Sequence, residues 1–505
     1  MRRFWYVIVA LSGLGLVACA THWQQPAPQH VVFVNRDGQL QNPTNGFPTL
    51  TNQLAHDYLA ELTTSLATNQ FPTGNVRQIV IFVHGGLNPA EDGLDRAANL
   101  LPAIQTNAYP IFVVWDSGLM SSYCEHLWRI RQGQVEKNWL WSALTCPVYL
   151  FADAGRALTR APMVWYYQSR NDLSTLAYHP WSPVRPLLQP LLPAKLTPED
   201  KLQRMKGTQQ HRATDKHGET ESVKVDISLG ADHRREHPFN NALRMTTYIV
   251  TIPFKLLTAP FIDAMGKAAW DNMSRRTQTM FCQPSYFELP GHGHPHITIG
   301  KSPNGGLSQF MEQLATFVQT NKSHHYEITV IGHSMGAMVL NEAIRRYPGL
   351  PYRNIVYMAA ACSSRDFATS VIPCLQLNPQ AQFYYLGLHP VNEARELHFY
   401  AGELAPLGSL LAWIDNYLTD PQTVPDRTFG SFDNLYACSP SLPTNIADRL
   451  HFKIFPVDAD PHYPEGNPQT HGGFGETSFW EKAFWEPKHH LPPPPTITVP
   501  ESPSH

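Results

Sequence analysis

Hydrophobic positions along the chain alternate between short, nearly continuous apolar runs and longer amphipathic stretches. Residues 76–83 and 109–115 are almost entirely apolar and rich in β-branched or aromatic side chains, as expected of strands buried on both faces of a parallel sheet. A helical pattern over 91–106 lies between them. Strand, helix, strand is the crossover unit of a doubly wound α/β sheet, and the sequence therefore predicts that fold class.

The same alternation continues at both ends of the chain. A short strand and an amphipathic helix are predicted before the first crossover, and a second run of strands and helices follows after residue 306. The predicted elements are a strand at 31–34, helices at 50–66 and 307–319, strands at 327–331, 355–361, 382–388 and 450–457, and a closing helix at 474–484.

The alternation is lost between residues 117 and 306, a segment of about 190 residues that is too long for a single loop. We expect it to be an insertion or cap, helical over 148–168, a polar surface loop over 199–241 and helical again over 242–281. Lys255, Asp263 and Lys267 interrupt the last stretch, which argues against a membrane span there. Two interpretations of residues 242–281 stay open: they form the core of a cap domain, or they form a lid that shields an acyl pocket or contacts the lipid surface.

Both termini are set apart from the predicted core. Arg2 and Arg3 precede an apolar run over 4–17 that ends in Leu-Val-Ala-Cys at Cys19, which resembles the lipobox of a bacterial lipoprotein. The resemblance implies a signal peptide over 1–18, lipidation of Cys19, and a tether with the first strand over 19–50. Ala20 after the cysteine favours the outer membrane, facing the periplasm. An ordinary secretory signal is the alternative, and the Pro-rich 486–505 is predicted to be disordered.

Composition excludes some classes of protein. Of the 505 residues 43% are hydrophobic and the formal net charge is −3, so neither a disordered chain nor a nucleic-acid binder with a basic face is expected. Beyond Cys19 an even number of cysteines remains, which permits disulfides in an oxidising compartment. Cys124–Cys146 and Cys362–Cys374 are the short-loop candidates; buried thiols are the alternative, and no cysteine spacing indicates a zinc site.

The strongest chemical signal is the sequence Gly-His-Ser-Met-Gly over 332–336. It directly follows the predicted strand EITVI and precedes the helical pattern AMVLNEAIRRY. This is the context of a G-x-S-x-G nucleophile elbow, in which a sharp strand-to-helix turn lifts the serine hydroxyl out of the sheet. Flanking glycines are needed because side chains there would collide with neighbouring backbone. Ser334 is therefore the candidate nucleophile.

In these features the chain resembles the serine esterase and lipase branches of the α/β-hydrolase superfamily. The resemblance covers about 76–116 and 307–485, and it implies a hydrolase core over 51–116 and 307–485 with 117–306 inserted. It also implies an oxyanion hole formed by the N–H group of Met335 and by the His84-Gly85-Gly86 loop, in which Gly85 and Gly86 supply the close backbone approach.

In that superfamily the acid and then the histidine follow the nucleophile along the chain. His471 precedes the predicted closing helix and is the preferred base, with His462 as the alternative. Glu393, after the strand at 382–388, is the preferred acid. Asp366, Asp415 and Asp433 remain open for that role.

Together these features predict a lipid-anchored cell-envelope serine hydrolase that cleaves carboxylic esters through an acyl-enzyme. An ester or lipid substrate and the membrane, reached through Cys19, are the expected partners, and nucleic acid is not. No metal or organic cofactor is required by this chemistry. An acyltransferase with the same triad and a non-catalytic envelope binding protein on a hydrolase scaffold are the alternatives.

Overall fold

The computed structural model describes residues 26–44, 46–68, 76–131, 134–136, 138–178, 182–212, 226–234, 238–288, 295–396, 406–460 and 466–486. The predicted signal peptide, Cys19 and His462 lie outside these ranges, as does all but the first residue of the predicted tail.

An eight-stranded, all-parallel sheet organises the fold, in agreement with the predicted α/β class. Its strand order is β1-β3-β2-β9-β10-β11-β12-β6. The predicted strands are all present, with small shifts at their ends. The strands are β1 (Val31–Val34), β2 (Val76–Val83), β3 (Tyr109–Trp115), β6 (Asp226–Leu229), β9 (His325–His333), β10 (Tyr352–Met358), β11 (Gln382–Gly387) and β12 (Leu450–Ile454).

Helices cover the sheet, and the strands are buried as their apolar runs predict. Every residue of β3 is buried, as are the last five of β2. The α-helices are α1 (Asn52–Thr68), α2 (Ala90–Ile104), α3 (Leu119–Trp128), α4 (Trp139–Tyr178), α5 (Arg185–Leu188), α6 (Pro198–Arg212), α7 (Pro238–Thr279), α8 (Gly306–Thr320), α9 (Gly336–Arg346), α10 (Ser364–Leu377), α11 (Pro390–Arg395), α12 (Leu410–Trp413), α13 (Phe432–Cys438) and α14 (Lys482–Trp485).

The insertion is more regular than the sequence predicted. Its two helical segments are longer than predicted, with 40 residues in α4 and 42 in α7. The prediction of a surface loop over 199–241 is wrong, because this stretch contains α6 and also β6, which pairs with β12 as an edge strand of the main sheet. A short run of four residues carries too little periodicity to be recognised within polar sequence.

A second, smaller sheet also forms within the insertion. Its four strands are antiparallel in the order β4-β5-β8-β7. They are β4 (Ile130–Arg131), β5 (Gln134–Val135), β7 (Pro284–Glu288) and β8 (Pro295–Ile299).

Two further predictions differ from the structure. The closing helix predicted over 474–484 is divided into a 3-10 turn (His471–Glu476) and the short helix α14, with residues 477–481 between them in neither. The six cysteines of the described ranges are free thiols, and neither candidate pair is bonded. Burial raises the pKa of the Cys362 and Cys374 thiols, which keeps them protonated and unreactive.

Candidate active site

The candidate site lies where the order of the parallel strands reverses. After β2 the chain crosses to β3 on one side, whereas after β9 it crosses to β10 on the other. Val83 at the end of β2 is paired with Gly332 near the end of β9. In open α/β sheets the crevice at such a switch point, beyond the carboxyl ends of the strands, is the usual ligand site. The two loops that leave this point carry the predicted oxyanion hole and nucleophile.

Ser334 occupies the sharp turn between β9 and α9. Its φ of 53° places it in the left-handed region, which is costly for a residue with a side chain. Its N–H donates to the Met358 carbonyl (2.9 Å) and its own carbonyl accepts from Ala361 N–H (3.0 Å), so β10 holds the turn in place. The Ser334 hydroxyl is buried and has no hydrogen-bond partner among the described residues.

The flanking glycines are required by the space around them. A Cβ on Gly336 would lie 2.2 Å from the Val83 carbonyl oxygen, and one on Gly332 would lie 2.9 Å from the backbone nitrogen of Ala337. Both distances are shorter than the contacts that Cβ atoms make in folded proteins. The glycine requirement predicted from the motif therefore has a direct cause: β2 and the first turn of α9 press against the elbow.

The loop after β2 packs against this elbow. A Cβ on Gly85 would lie 3.0 Å from the Cβ of Ser334, and one on Gly86 would lie 2.5 Å from the Sδ of Met335. The backbone N–H groups of Gly85, Gly86 and Met335 donate no hydrogen bond to any described residue. Unpaired backbone donors beside a buried hydroxyl are what an oxyanion hole requires.

His84 fixes the shape of that loop. Its Nδ1–H donates to the carbonyl of Gly85 (2.8 Å), and its Nε2 accepts from the N–H of Trp115 (3.2 Å). Burial lowers the pKa of His84 to about 4, so the ring is neutral and keeps this one tautomer. The carbonyl of Gly85 therefore faces His84, and it does not compete with the oxyanion for the hydrogen-bond donors beside Ser334.

His471 reaches the elbow from the far end of the chain. Its ring centroid lies 5.2 Å from that of His333, the residue before the nucleophile. The Nε2–H of His333 donates to the carbonyl of His471 at 2.9 Å. Both ring nitrogens of His471 lack a hydrogen-bond partner within the described ranges, Ser334 included, and burial lowers the pKa of this imidazole to about 4. His471 is thus a neutral imidazole with two uncommitted nitrogens.

The carboxylate that contacts His471 is Glu396, which the sequence did not single out. Its Oε1 accepts from the backbone N–H of His471 at 2.8 Å, while its Oε2 has no partner among the described residues. Burial raises the pKa of Glu396 to about 8, and the hydrogen bond from His471 opposes part of that rise. Glu393 lies three residues earlier, within α11, and its carboxylate accepts instead from the hydroxyl of Ser431 (3.1 Å).

The other candidate acids are engaged elsewhere. Asp366 accepts from the Asn341 amide (2.7 Å) and pairs with Arg345, which joins α9 to α10. Asp415 accepts from the N–H of Thr428 (2.9 Å) and the amide of Asn434 (2.7 Å), and Asp433 pairs with Lys201. Each of these contacts connects structural elements, and none involves His471.

A signal for Glu396 was present in the sequence. Pro390 stands at the first position of α11 and His389 caps it, since its Nδ1 accepts from Val391 N–H (3.2 Å). Proline at this position favours a helix, which ends at Arg395 and is followed directly by Glu396. Glu393, the acid preferred from the sequence, stays a prediction.

A cavity of about 260 Å³ lies near the elbow: Ala361, whose N–H donates to the Ser334 carbonyl, lines it, whereas Ser334, His471 and Glu396 do not. Trp270, Thr277 and Gln278 of α7 form one wall, and Ala361 and its neighbours after β10 form another. The inserted helix α7 therefore covers part of the carboxyl edge of the sheet, next to the backbone that holds Ser334. Asp366 and Asp415 also line this cavity, already paired as described above.

Chemically, the site combines a strained serine with a free hydroxyl, unpaired backbone donors and a neutral imidazole whose backbone is held on both sides. Such a set can support nucleophilic attack on a carbonyl. The chain matches no protein-family model, no curated protein and no solved structure.

Proposed function

We propose that the protein is a serine hydrolase that cleaves carboxylic esters, built on an α/β-hydrolase fold. The observation that carries the proposal is the backbone of Ser334: a left-handed serine between a central parallel strand and a helix, with its hydroxyl unpaired. Strain of this kind persists where the surroundings enforce it, and it concentrates at functional sites. The position at the sheet's switch point supports the same interpretation.

In the proposed reaction, His471 takes the proton of the Ser334 hydroxyl as its oxygen attacks the ester carbonyl carbon. The N–H groups of Gly86 and Met335, shaped by Gly85, hold the oxyanion of the tetrahedral intermediate. His471 then gives its proton to the departing alcohol. Water resolves the resulting acyl-enzyme by the same steps in reverse, so the chain's own residues supply every proton transfer.

We assign the acid to Glu396. Its free Oε2 belongs to a carboxylate already fixed to the His471 backbone, and Nδ1 of a histidine is the ring nitrogen nearest to its own backbone. Rotation of the imidazole about its side-chain bonds therefore brings Nδ1–H towards Glu396 and leaves Nε2 for Ser334. A carboxylate in this role sets the tautomer and stabilises the imidazolium.

The cellular setting is part of the proposal. Lipidation at Cys19 in the bacterial envelope is supported by the sequence of the N-terminus alone. The first described residue, Pro26, follows Cys19 by seven positions, which limits the separation of the folded body from the anchor to roughly 25 Å. Incorporation of an alkynyl fatty acid that is lost in Cys19→Ala tests this assignment.

A non-catalytic binding protein is the second candidate. It is favoured by one observation: His471 is hydrogen-bonded to neither Ser334 nor a carboxylate through its ring. The two candidates differ in whether the hydroxyl reacts, which a covalent probe measures directly. Catalytic hydrogen bonds tighten on substrate binding, so the geometry of His471 without substrate is compatible with catalysis as well as with binding alone.

A fluorophosphonate probe provides the test. The full chain should be labelled at Ser334, and Ser334→Ala should abolish labelling. Ser308→Ala is the matched control, because Ser308 is equally buried and its hydroxyl is also unpaired, but it lies in α8 away from the elbow. Labelling that persists in Ser334→Ala would exclude the proposal. Esterase assays with and without an added alcohol acceptor then separate hydrolysis from acyl transfer.

A further inference from the structure

The insertion presents a large apolar surface to its surroundings. Helices α4 and α7 pack antiparallel, as the contacts Arg160–Asp263, Trp165–Leu256 and Asp172–Tyr248 show. Eleven large apolar side chains are exposed on α4 between residues 139 and 166, and five on α7 between 243 and 261. We call this surface the outer hairpin face. Several of its side chains are mostly exposed to solvent: Phe151 is 78% exposed, Leu158 74% and Trp139 71%.

Charge is sparse on this face: Arg156, whose side chain is 37% exposed, is paired with the buried Asp263. Every other exposed residue of α4 between 139 and 166, and of α7 between 242 and 261, is uncharged. These stretches correspond to about 40 Å and 30 Å of helix. Ordinary surface helices of proteins in water carry charged side chains on the exposed side. The outer hairpin face has the reverse pattern.

The charged and polar groups lie instead between the helices and the body. Asp263 is fully buried and pairs with Arg160 at 2.9 Å, and Arg156 approaches it at 3.9 Å. Lys255 is also fully buried, with its Nζ 3.4 Å from the centre of the Tyr248 ring. An apolar exterior over a polar, paired interior is the arrangement of helices in contact with lipid.

A second group of contacts fixes the inner side of the hairpin to the protein. The Tyr417 hydroxyl donates to the Gln168 side-chain carbonyl (2.6 Å), and Arg160 pairs with Asp420. By length and composition α7 is apolar enough over 241–279 to cross a membrane, since an 18-residue stretch within it has a mean hydropathy of 1.3. Its inner side, however, is committed to these partners and to the wall of the cavity. Only one side of the hairpin is therefore available to lipid.

We propose that the outer hairpin face binds a phospholipid bilayer, with the hairpin lying in the membrane interface rather than crossing it. Trp139, Trp141, Trp165 and Tyr166 on this face are the residue types that anchor proteins at the interface. The sixteen half-exposed side chains present on the order of 1,500 Å² of apolar surface, well above the largest patch of a typical monomer. An area of this size would also fit an obligate dimer, but the concentration of Trp and Tyr on this apolar face favours the bilayer.

This contact depends neither on the chemistry of Ser334 nor on lipidation at Cys19. It would hold the folded body close to the membrane surface, where lipid-derived esters are concentrated. The substrate class that then fits, resting on the proposed function, is an ester presented by the bilayer itself.

Photolabelling tests the proposal. The full chain is reconstituted into phosphatidylethanolamine–phosphatidylglycerol vesicles that contain a phospholipid with a diazirine in its acyl chain. After irradiation, adducts are mapped by mass spectrometry. We expect them within 139–166 and 242–261, at least ten-fold denser than around Leu377, an apolar residue of α10 that is 67% exposed on another part of the molecule.

Paired variants provide the control. Phe151→Glu combined with Phe254→Glu should lower adduct formation on the hairpin at least ten-fold, since glutamate opposes burial in lipid, whereas Leu377→Glu should leave it unchanged. All three side chains are exposed, and equal thermal midpoints would show that folding is intact. Adducts no denser on the hairpin than around Leu377 would overturn the proposal. So would a stable dimer whose interface shields the hairpin from the lipid probe.

Discussion

The Nε2–H of His333 donates to the backbone carbonyl of His471 at 2.9 Å. The residue beside the candidate nucleophile therefore holds the loop that carries the candidate base. Glu396 holds the other side of the same residue through its backbone N–H. His333 is thus best understood as a positioning residue, and burial lowers its pKa so that the ring stays neutral.

His333→Phe should slow the reaction with the fluorophosphonate probe by roughly 10²-fold, because misplacing a catalytic group by about 1 Å costs that much. The phenylalanine keeps an aromatic ring but removes the donor to His471. His333→Gln restores an N–H donor and should recover most of the rate. A purely structural role would make the two variants equally slow, and thermal midpoints of both variants report on folding.

Gly85→Ala should reduce labelling by about 10²-fold or more. The added methyl group would lie 3.0 Å from the Cβ of Ser334, and displacing the loop moves its N–H donors away from the oxyanion position. Gly472→Ala is the matched control, because it adds the same methyl group next to His471, where no atom lies within 4 Å. Equal labelling rates for Gly85→Ala and Gly472→Ala would show that the loop after β2 does not form the oxyanion hole.

Much of this arrangement follows from local sequence. The buried strands and the elbow could be predicted because continuous apolar runs and a glycine-bracketed serine each have one physical interpretation. His471, chosen for its position after the last core strand, lies beside the elbow residue His333. Whether it completes a triad is part of the proposal above.

The partner of His471 could not be fixed in the same way. Glu393 and Glu396 are separated by one helical turn, and only the tertiary position of the His471 loop decides which carboxylate meets it. Edge strand β6 escaped prediction for a related reason, since its pairing with β12 joins residues more than two hundred positions apart. Such contacts leave no local periodicity.

Glu396→Gln should lower the labelling rate by about 10⁴-fold, as the carboxylate-to-amide change does in other triads. In the wild type, burial raises the pKa of Glu396 to about 8. The carboxylate is ionised only above its pKa, so the rate should rise as the pH increases through about 8. The variant should lose that rise.

Glu393→Gln is the control for this assignment, since it makes the same change one turn earlier, on a carboxylate whose pKa burial also raises. We expect its rate and pH profile to match the wild type. If Glu393→Gln is the slow variant instead, the acid is the residue predicted from the sequence, and Glu396 only fixes the His471 backbone.

Ser334→Gly should be more stable than Ser334→Ala by about 1 kcal/mol, because glycine adopts a φ of 53° without the cost that a Cβ imposes. Both variants lack the hydroxyl, so the difference isolates the backbone strain. At Ser308, in helix α8, the order should be reversed, since glycine in a helix is less stable than alanine. Urea-unfolding midpoints of the four variants measure both differences. Alanine more stable than glycine at both serines would mean that the elbow stores no strain, whereas opposite orders would show backbone strain at Ser334, of the kind that concentrates at functional sites.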